Sequence, residues 1–307
     1  DLCVSCKGCR RECPTGVDMA RMKIEVQAQR RARYGASWTD LLIGRLPDYA
    51  PMASALAPLA NLRNRWPWLA RQMQRHTGLA AERPLPTWRA DTFYKQQRQL
   101  DLATREAVLA APKGVVLWAD TFNAFFEPDN LVAAVRVLRA SGYAVHVAQG
   151  RVGERLCCGR THLSVGDVAA ARAKGRTLVD ALAPLAERGL AIVGLEPSCL
   201  LTMRDELLAL GLGPAAQTVA KQALLFEEFL ERETREGRFT PAFRRPGRPL
   251  RVHGHCHQKA FGAFEPVLAL LRRLPGADVA AIESSCCGMP GHFGYETSHL
   301  EASRQMA

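Results

Sequence analysis

Four cysteines stand close together at the amino end, as Cys3-x-x-Cys6-x-x-Cys9-x-x-x-Cys13-Pro14. Two-residue gaps let three thiolates turn inward onto one face of a cubane, and Gly8 permits a tight backbone whose amides reach the cluster sulfurs. Zinc is the competing ion, but zinc motifs usually pair two Cys-x-x-Cys units at longer separation. The spacing therefore predicts a [4Fe–4S] cluster on Cys3, Cys6, Cys9 and Cys13. Where two clusters share such a run, its fourth cysteine ligates the other one. Cys13 then points to a cluster whose remaining ligands precede Asp1.

Six further cysteines follow, Cys157, Cys158, Cys199, Cys256, Cys286 and Cys287, after 143 residues without one. Secreted disulfide scaffolds are short and cysteine-dense, and adjacent cysteines close only a strained ring. Clustered thiols in a chain that opens with neither Met nor a signal-like segment read as metal ligands in a reducing, cytoplasmic setting. The same opening predicts a piece of a longer polypeptide. At 307 residues, 48% hydrophobic and 23% charged, the chain has room for two or three domains and a real core, which excludes broad disorder. No run reaches the roughly 18 uncharged apolar residues of a membrane span. The net charge of +11 is uneven: residues 1–100 hold 17 Lys+Arg against 8 Asp+Glu, and the remainder 24 against 22. No regular Arg/aromatic interleaving or reader motif accompanies it, so nucleic acid is not an expected partner. A solvated basic face is the plain reading, and Trp66 and Trp68 beside Arg63, Arg65 and Arg71 admit peripheral membrane contact.

Residues 1–35 read as the cysteine motif and an amphipathic helix over 17–33. Residues 36–110 read as helix pieces broken by prolines. From about 112 the texture becomes α/β: strands at 114–119, 144–147 and 190–195 alternate with helices at 129–140 and 165–183, which implies a mainly parallel sheet. A charged helix over 217–236 and a Pro/Arg linker follow. The pattern then restarts with a strand at 250–253, a helix at 264–274 and a strand at 278–282. Cys-Cys-Gly occurs after each strand–helix–strand, at 157–159 and 286–288, which marks an internal repeat with boundaries near 111–243 and 244–307. The thiols then sit at the carboxyl ends of parallel strands, where open α/β sheets place their ligands. His253, His255 and His257 alternate along a strand end and so face one side, as metal ligands or as groups flanking Cys256. Arg160, His162 and His292 follow the two pairs as cations beside thiolates. No Gly-x-Gly-x-x-Gly or Walker-type loop appears in its required setting.

The pairing of a ferredoxin run with two Cys-Cys-Gly units resembles the iron–sulfur part of flavin-linked 2-hydroxy-acid dehydrogenases, of the D-lactate or D-2-hydroxyglutarate type. It is similar also to glycolate oxidase iron–sulfur subunits, the small subunit of anaerobic glycerol-3-phosphate dehydrogenase and heterodisulfide reductases. The motifs that carry the resemblance are residues 3–20, Leu156-Cys-Cys-Gly-Arg-Thr-His-Leu163, Glu196-Pro-Ser-Cys199 and Ser284-Ser-Cys-Cys-Gly-Met-Pro-Gly-His-Phe-Gly-Tyr295. The resemblance implies an α-helical ferredoxin-like segment followed by α/β Cys-Cys-Gly repeat domains with mainly parallel sheets. It implies [4Fe–4S] clusters here, FAD in an upstream domain or partner subunit, and electrons leaving to a quinone, cytochrome or electron carrier. It places the protein in the cytoplasm or on the inner face of the membrane. A fully equipped unit of the family has a single cysteine, the pair, then Cys-x-x-Cys. Here Thr121 holds the single position of the first repeat and Glu196 the first thiol of its Cys-x-x-Cys. The second repeat keeps Cys256, Cys286 and Cys287, and its last thiol is expected near position 328. Two other readings stay open: a thiol–disulfide redox subunit of the heterodisulfide-reductase kind, and a zinc-stabilised binding scaffold.

Overall fold

The computed structural model describes residues 3–284 and 286–307; Ser285, just before the second Cys-Cys-Gly, lies outside them. Four short apolar runs, β1 Gly114–Leu117, β2 Ala144–Val147, β3 Ala191–Gly194 and β4 Ala223–Leu225, pair in parallel in the order β2-β1-β3-β4. Side chains alternate across the sheet. Val116 and Ile192 enter one buried cluster with Trp118, Leu178 and Leu200, while Val115, Leu117 and Val193 enter another with Phe125, Leu131 and Phe229. Helices cover both faces, as a parallel sheet requires.

A second, two-stranded parallel sheet joins β5 Leu250–Val252 to β6 Val279–Ala281, with the helix Glu265–Arg272 between them. In β1 and β2 the corresponding helix is Pro128–Ala140. Strand, helix, strand and Cys-Cys-Gly thus recur in the same order. The chain is mainly helical around these small parallel sheets.

Ahead of the first sheet, the short helix Gly8–Glu12 and the longer Met19–Tyr34 carry the cysteine run. Helices from Trp38–Gly44 to Arg105–Ala110 fill the proline-broken stretch. Pro47 and Pro67 sit in the first positions of their helices, where a missing N–H leaves no bond unmade. Among the described residues no helix is long and apolar enough to cross a membrane.

Three local expectations need correction. The 217–236 helix is two helices, Pro214–Gln222 and Phe226–Arg235, parted by β4, because Ala223, Leu224 and Leu225 take the open edge of β3. The 165–183 helix is a single helix displaced to Val168–Ala186, capped by Asp167 through the Ala170 amide, and a separate short helix, Arg160–Ser164, precedes it. Beyond β5 the chain turns into the helix Cys256–Ala260, so the three histidines do not alternate along a strand.

Candidate metal centre

In the N-terminal run the backbone curls tightly: Ser5 and Lys7, neither a glycine, hold φ of 55° and 65°. Such conformations persist where the surroundings over-determine them, often at ligand sites. The curl turns amide N–H groups toward sulfur. Gly8 donates to Cys6 Sγ at 3.5 Å, and Met19, opening its helix, donates to Cys9 Sγ at 3.3 Å. The Thr15 hydroxyl lies 3.1 Å from Cys13 Sγ and, with nearby backbone amides, holds that thiol below its ordinary range. All four thiols are partly accessible. Soft donors, N–H···S bonds and a curled loop are the donor set a cubane needs, so the residues present fit one.

The first repeat gathers its thiols around a small cavity lined by Trp118, Thr121, Phe122, Cys157, Cys158 and Cys199, with Pro47 and Arg160 beside them. Thr121 opens the helix Thr121–Phe125 one residue after its cap Asp120, just as Cys256 opens Cys256–Ala260 after its cap His255. Thr121 therefore stands where the second repeat has Cys256. All three thiols here are buried. Hydrogen bonding to Cys158, then burial, pushes Cys157 well up. For Cys158, relief from Cys157 is outweighed by Cys199 and burial. A bond from Cys158 favours the Cys199 thiolate, but burial and the charges of Asp120 and Glu196 prevail and lift it to about 11. These thiols stay protonated near neutrality unless a cation displaces the protons.

Asp120 is fully buried, and its carboxylate accepts from the Asn123 amide at 2.9 Å and side chain at 2.8 Å. Burial, reinforced by Glu196, raises it to about 6 despite those bonds. An unfolded carboxyl ionises near 4. Between pH 4 and 6 the folded chain therefore keeps a proton that the unfolded chain loses, and stability falls as pH rises. Asp120→Asn is expected to remove about 2 kcal/mol of that fall, read from urea midpoints at pH 4 and 6.

The two Cys-Cys-Gly turns match in detail. Gly159 donates to Cys157 Sγ and Gly288 to Cys286 Sγ, both at 3.4 Å. Both glycines have positive φ, 80° and 69°, and each presses on the backbone of a later helix, at Ala171 and at Ser303. A Cβ on Gly159 would stand 2.8 Å from the Ala171 oxygen. Gly159→Ala is expected to lower stability by about 3 kcal/mol, from left-handed strain plus overpacking, measured by denaturant unfolding.

At the second repeat, burial and the neighbouring thiols of Cys6 and Cys286 raise Cys256 to about 11. Burial raises Cys286, with Cys287 and Cys6 adding to it, and Cys287 is exposed. Cys6 thus belongs in space with Cys256, Cys286 and Cys287. Three contacts seat the N-terminal loop there: Ser5 O lies 3.1 Å from His257 Nε2, Arg11 donates to Lys259 O at 2.9 Å, and the Arg10 guanidinium stands 4.9 Å from the Phe261 ring. The first-repeat cavity includes none of Cys256, Cys286 or Cys287 among its lining.

The histidines have other partners. His255 Nδ1 accepts the His257 amide at 3.1 Å, and His253 Nδ1 lies 2.8 Å from the Ser284 hydroxyl. His255, Cys256 and His257 bring their donor atoms within 4.8 Å of one another; His255 Nδ1 and His257 Nε2 have protein partners, while His257 Nδ1 is buried without one. Burial lowers His162, which is neutral rather than a cation; burial likewise lowers His292, which stands 3.4 Å from Glu296.

Sequence patterning did not reveal the charges beneath the loop. Lys7, 1% exposed, reaches Asp205 at 2.6 Å, Asp18 at 2.9 Å and Glu206 at 3.2 Å. Burial opposes its charge, but the three carboxylates more than offset that and raise its pKa. Arg160 pairs with Glu206 and lies 3.3 Å from His257 Nε2. The one textual signal was an Asp-Glu pair set between the apolar runs Leu200–Met203 and Leu207–Leu210.

The proteins this chain resembles are bacterial dehydrogenases, as the motifs imply. It is 25% identical over 98% of its length to D-2-hydroxyglutarate dehydrogenase of Pantoea ananatis and 26% identical, over the same share, to that of Pseudomonas putida. It is 24% identical over 94% of its length to one of the subunits of anaerobic glycerol-3-phosphate dehydrogenase from Escherichia coli, and spans 69% of that relative. The chain spans 29% of the length of the D-2-hydroxyglutarate dehydrogenases it matches. No family model matches it, and no solved structure does.

Proposed function

We propose that this chain is the iron–sulfur electron-transfer part of a flavin-linked dehydrogenase that oxidises a D-2-hydroxy acid, such as D-2-hydroxyglutarate, D-lactate or glycolate. The observation that carries the reading is the convergence of the ferredoxin-type run on a second thiol set, with Cys6 beside Cys256, Cys286 and Cys287. Residues 1–35 form the ferredoxin-like segment, 36–110 a helical connection, 111–243 the first Cys-Cys-Gly domain and 244–307 the second.

In this reading Cys3, Cys6 and Cys9 hold one [4Fe–4S] cluster, with Cys13 serving that cluster or a second. Cys256, Cys286 and Cys287 hold iron next to it, and Cys157, Cys158 and Cys199 form a further, more enclosed thiol site. Thiolate-held iron moves single electrons, which suits dividing the pair delivered by a flavin. The chain's own residues wrap, hydrogen-bond and shield that sulfur. FAD and substrate belong to an upstream domain or partner subunit, and a quinone, cytochrome or carrier receives the electrons, in the cytoplasm or at the inner face of the membrane.

An exposed Cys287 beside Cys256 and Cys286 favours a second reading, thiol–disulfide chemistry of the heterodisulfide-reductase kind. Iron and acid-labile sulfide counts on anaerobically prepared chains separate the readings. Cys256→Ala is expected to lower the counts; unchanged counts in both Cys256→Ala and Cys199→Ala would reject iron at the Cys-Cys-Gly thiols. Turnover of a heterodisulfide without a flavin subunit would favour the second reading, and colourless protein carrying zinc would favour a scaffold.

A further inference from the structure

Lys7 stands inside the cysteine run, between Cys6 and Cys9, yet its side chain leaves the loop and buries its ammonium among Asp18, Asp205 and Glu206. Asp205 also receives Arg21 at 2.7 Å and Arg10 at 2.9 Å, but those side chains are nearly half exposed. Glu206 pairs with Arg160, which follows the first Cys-Cys-Gly and touches His257, next to Cys256. His257 in turn meets the Ser5 carbonyl. The path closes on itself: loop, first repeat, second repeat, loop. Lys7 is the fully buried cation of that circuit and the member that belongs to the cysteine loop.

From this we infer that Lys7 is a positioning residue that sets the reduction potential of iron held by the N-terminal run, through its buried pairing with Asp205 and Glu206. The inference rests on the iron–sulfur reading above. Cluster potentials follow net charge, hydrogen bonding and solvent exposure, and a buried charge is screened far less than a surface one. One positive charge under the loop favours the reduced, more negative state. Removing it leaves the carboxylates in excess and disfavours that state. Neutralising a carboxylate does the reverse.

The test is an anaerobic redox titration followed by electron paramagnetic resonance on the full chain, with iron counted in each sample. Lys7→Met is expected to shift the midpoint downward, Glu206→Gln upward, and Lys7→Arg back toward the wild-type value, all at unchanged iron content. Should Lys7→Met fail to fold, Glu206→Gln and Asp205→Asn keep Lys7 and are each expected to shift the midpoint upward. Shifts of one sign in Lys7→Met and Glu206→Gln, or none, at full iron content would overturn the inference and leave the iron–sulfur reading standing. A wild-type chain without iron would overturn both.

Discussion

Cys6→Ala is expected to strip the N-terminal cluster from the chain and also to weaken iron binding at the second repeat. Four-iron clusters are held by cysteine thiolates, and no other side chain of the curled 3–9 loop offers a thiolate in that place. Gly8 directs its amide at Cys6 Sγ, so the substitution also leaves a donor pointing at a methyl group. The same sulfur lies near Cys256 and Cys286, which makes this one thiol the point where two sets meet. Iron per chain should fall by about four, the content of one such cluster, with most of the broad absorption near ~400 nm lost. Cys199→Ala lies in the separate cavity of the first repeat and should leave that band in place. Equal iron in Cys6→Ala and wild type would exclude Cys6 as a ligand.

Asp205→Ala should be among the most damaging substitutions away from the thiols. Asp205 is 3% exposed and accepts Lys7, Arg10 and Arg21. Deleting it leaves the buried Lys7 ammonium short of its nearest counter-ion. Breaking a buried pair by removing one partner costs about 3–5 kcal/mol, because the remaining charge stays desolvated. Urea unfolding should show that loss. Arg304→Ala, which breaks an exposed pair with Glu82, should change stability by under about 1 kcal/mol.

Much of the fold was legible because its signals are local. Apolar runs at 114–119, 144–147 and 190–195, each followed by a helical stretch, specify parallel pairing before any contact is known. The Cys-Cys-Gly repeat was legible too, and the matched Gly159 and Gly288 turns give its physical reason: both pairs need positive φ and a close backbone neighbour. What escaped is set by partners distant in sequence. Ala223, Leu224 and Leu225 are apolar enough for helix or strand, and the free edge of β3 decides between them. His253 to His257 look like a strand end until the Cys256 helix begins. The meeting of Cys6 with Cys256, and of Lys7 with Asp205, joins residues some 200 or more positions apart. A buried ion pair leaves little trace in hydrophobic periodicity, since each member is a lone charge in its own segment.

Fold, thiols and buried charges all bear on one claim, that sulfur near the amino end grips iron and makes this polypeptide a conductor of electrons. Electron paramagnetic resonance of the anaerobically prepared full chain, reduced with dithionite and paired with an iron and sulfide assay, tests it most directly. The account predicts a reduced-cluster signal with iron and sulfide in near-equal amounts. A silent spectrum from protein holding no iron would contradict it.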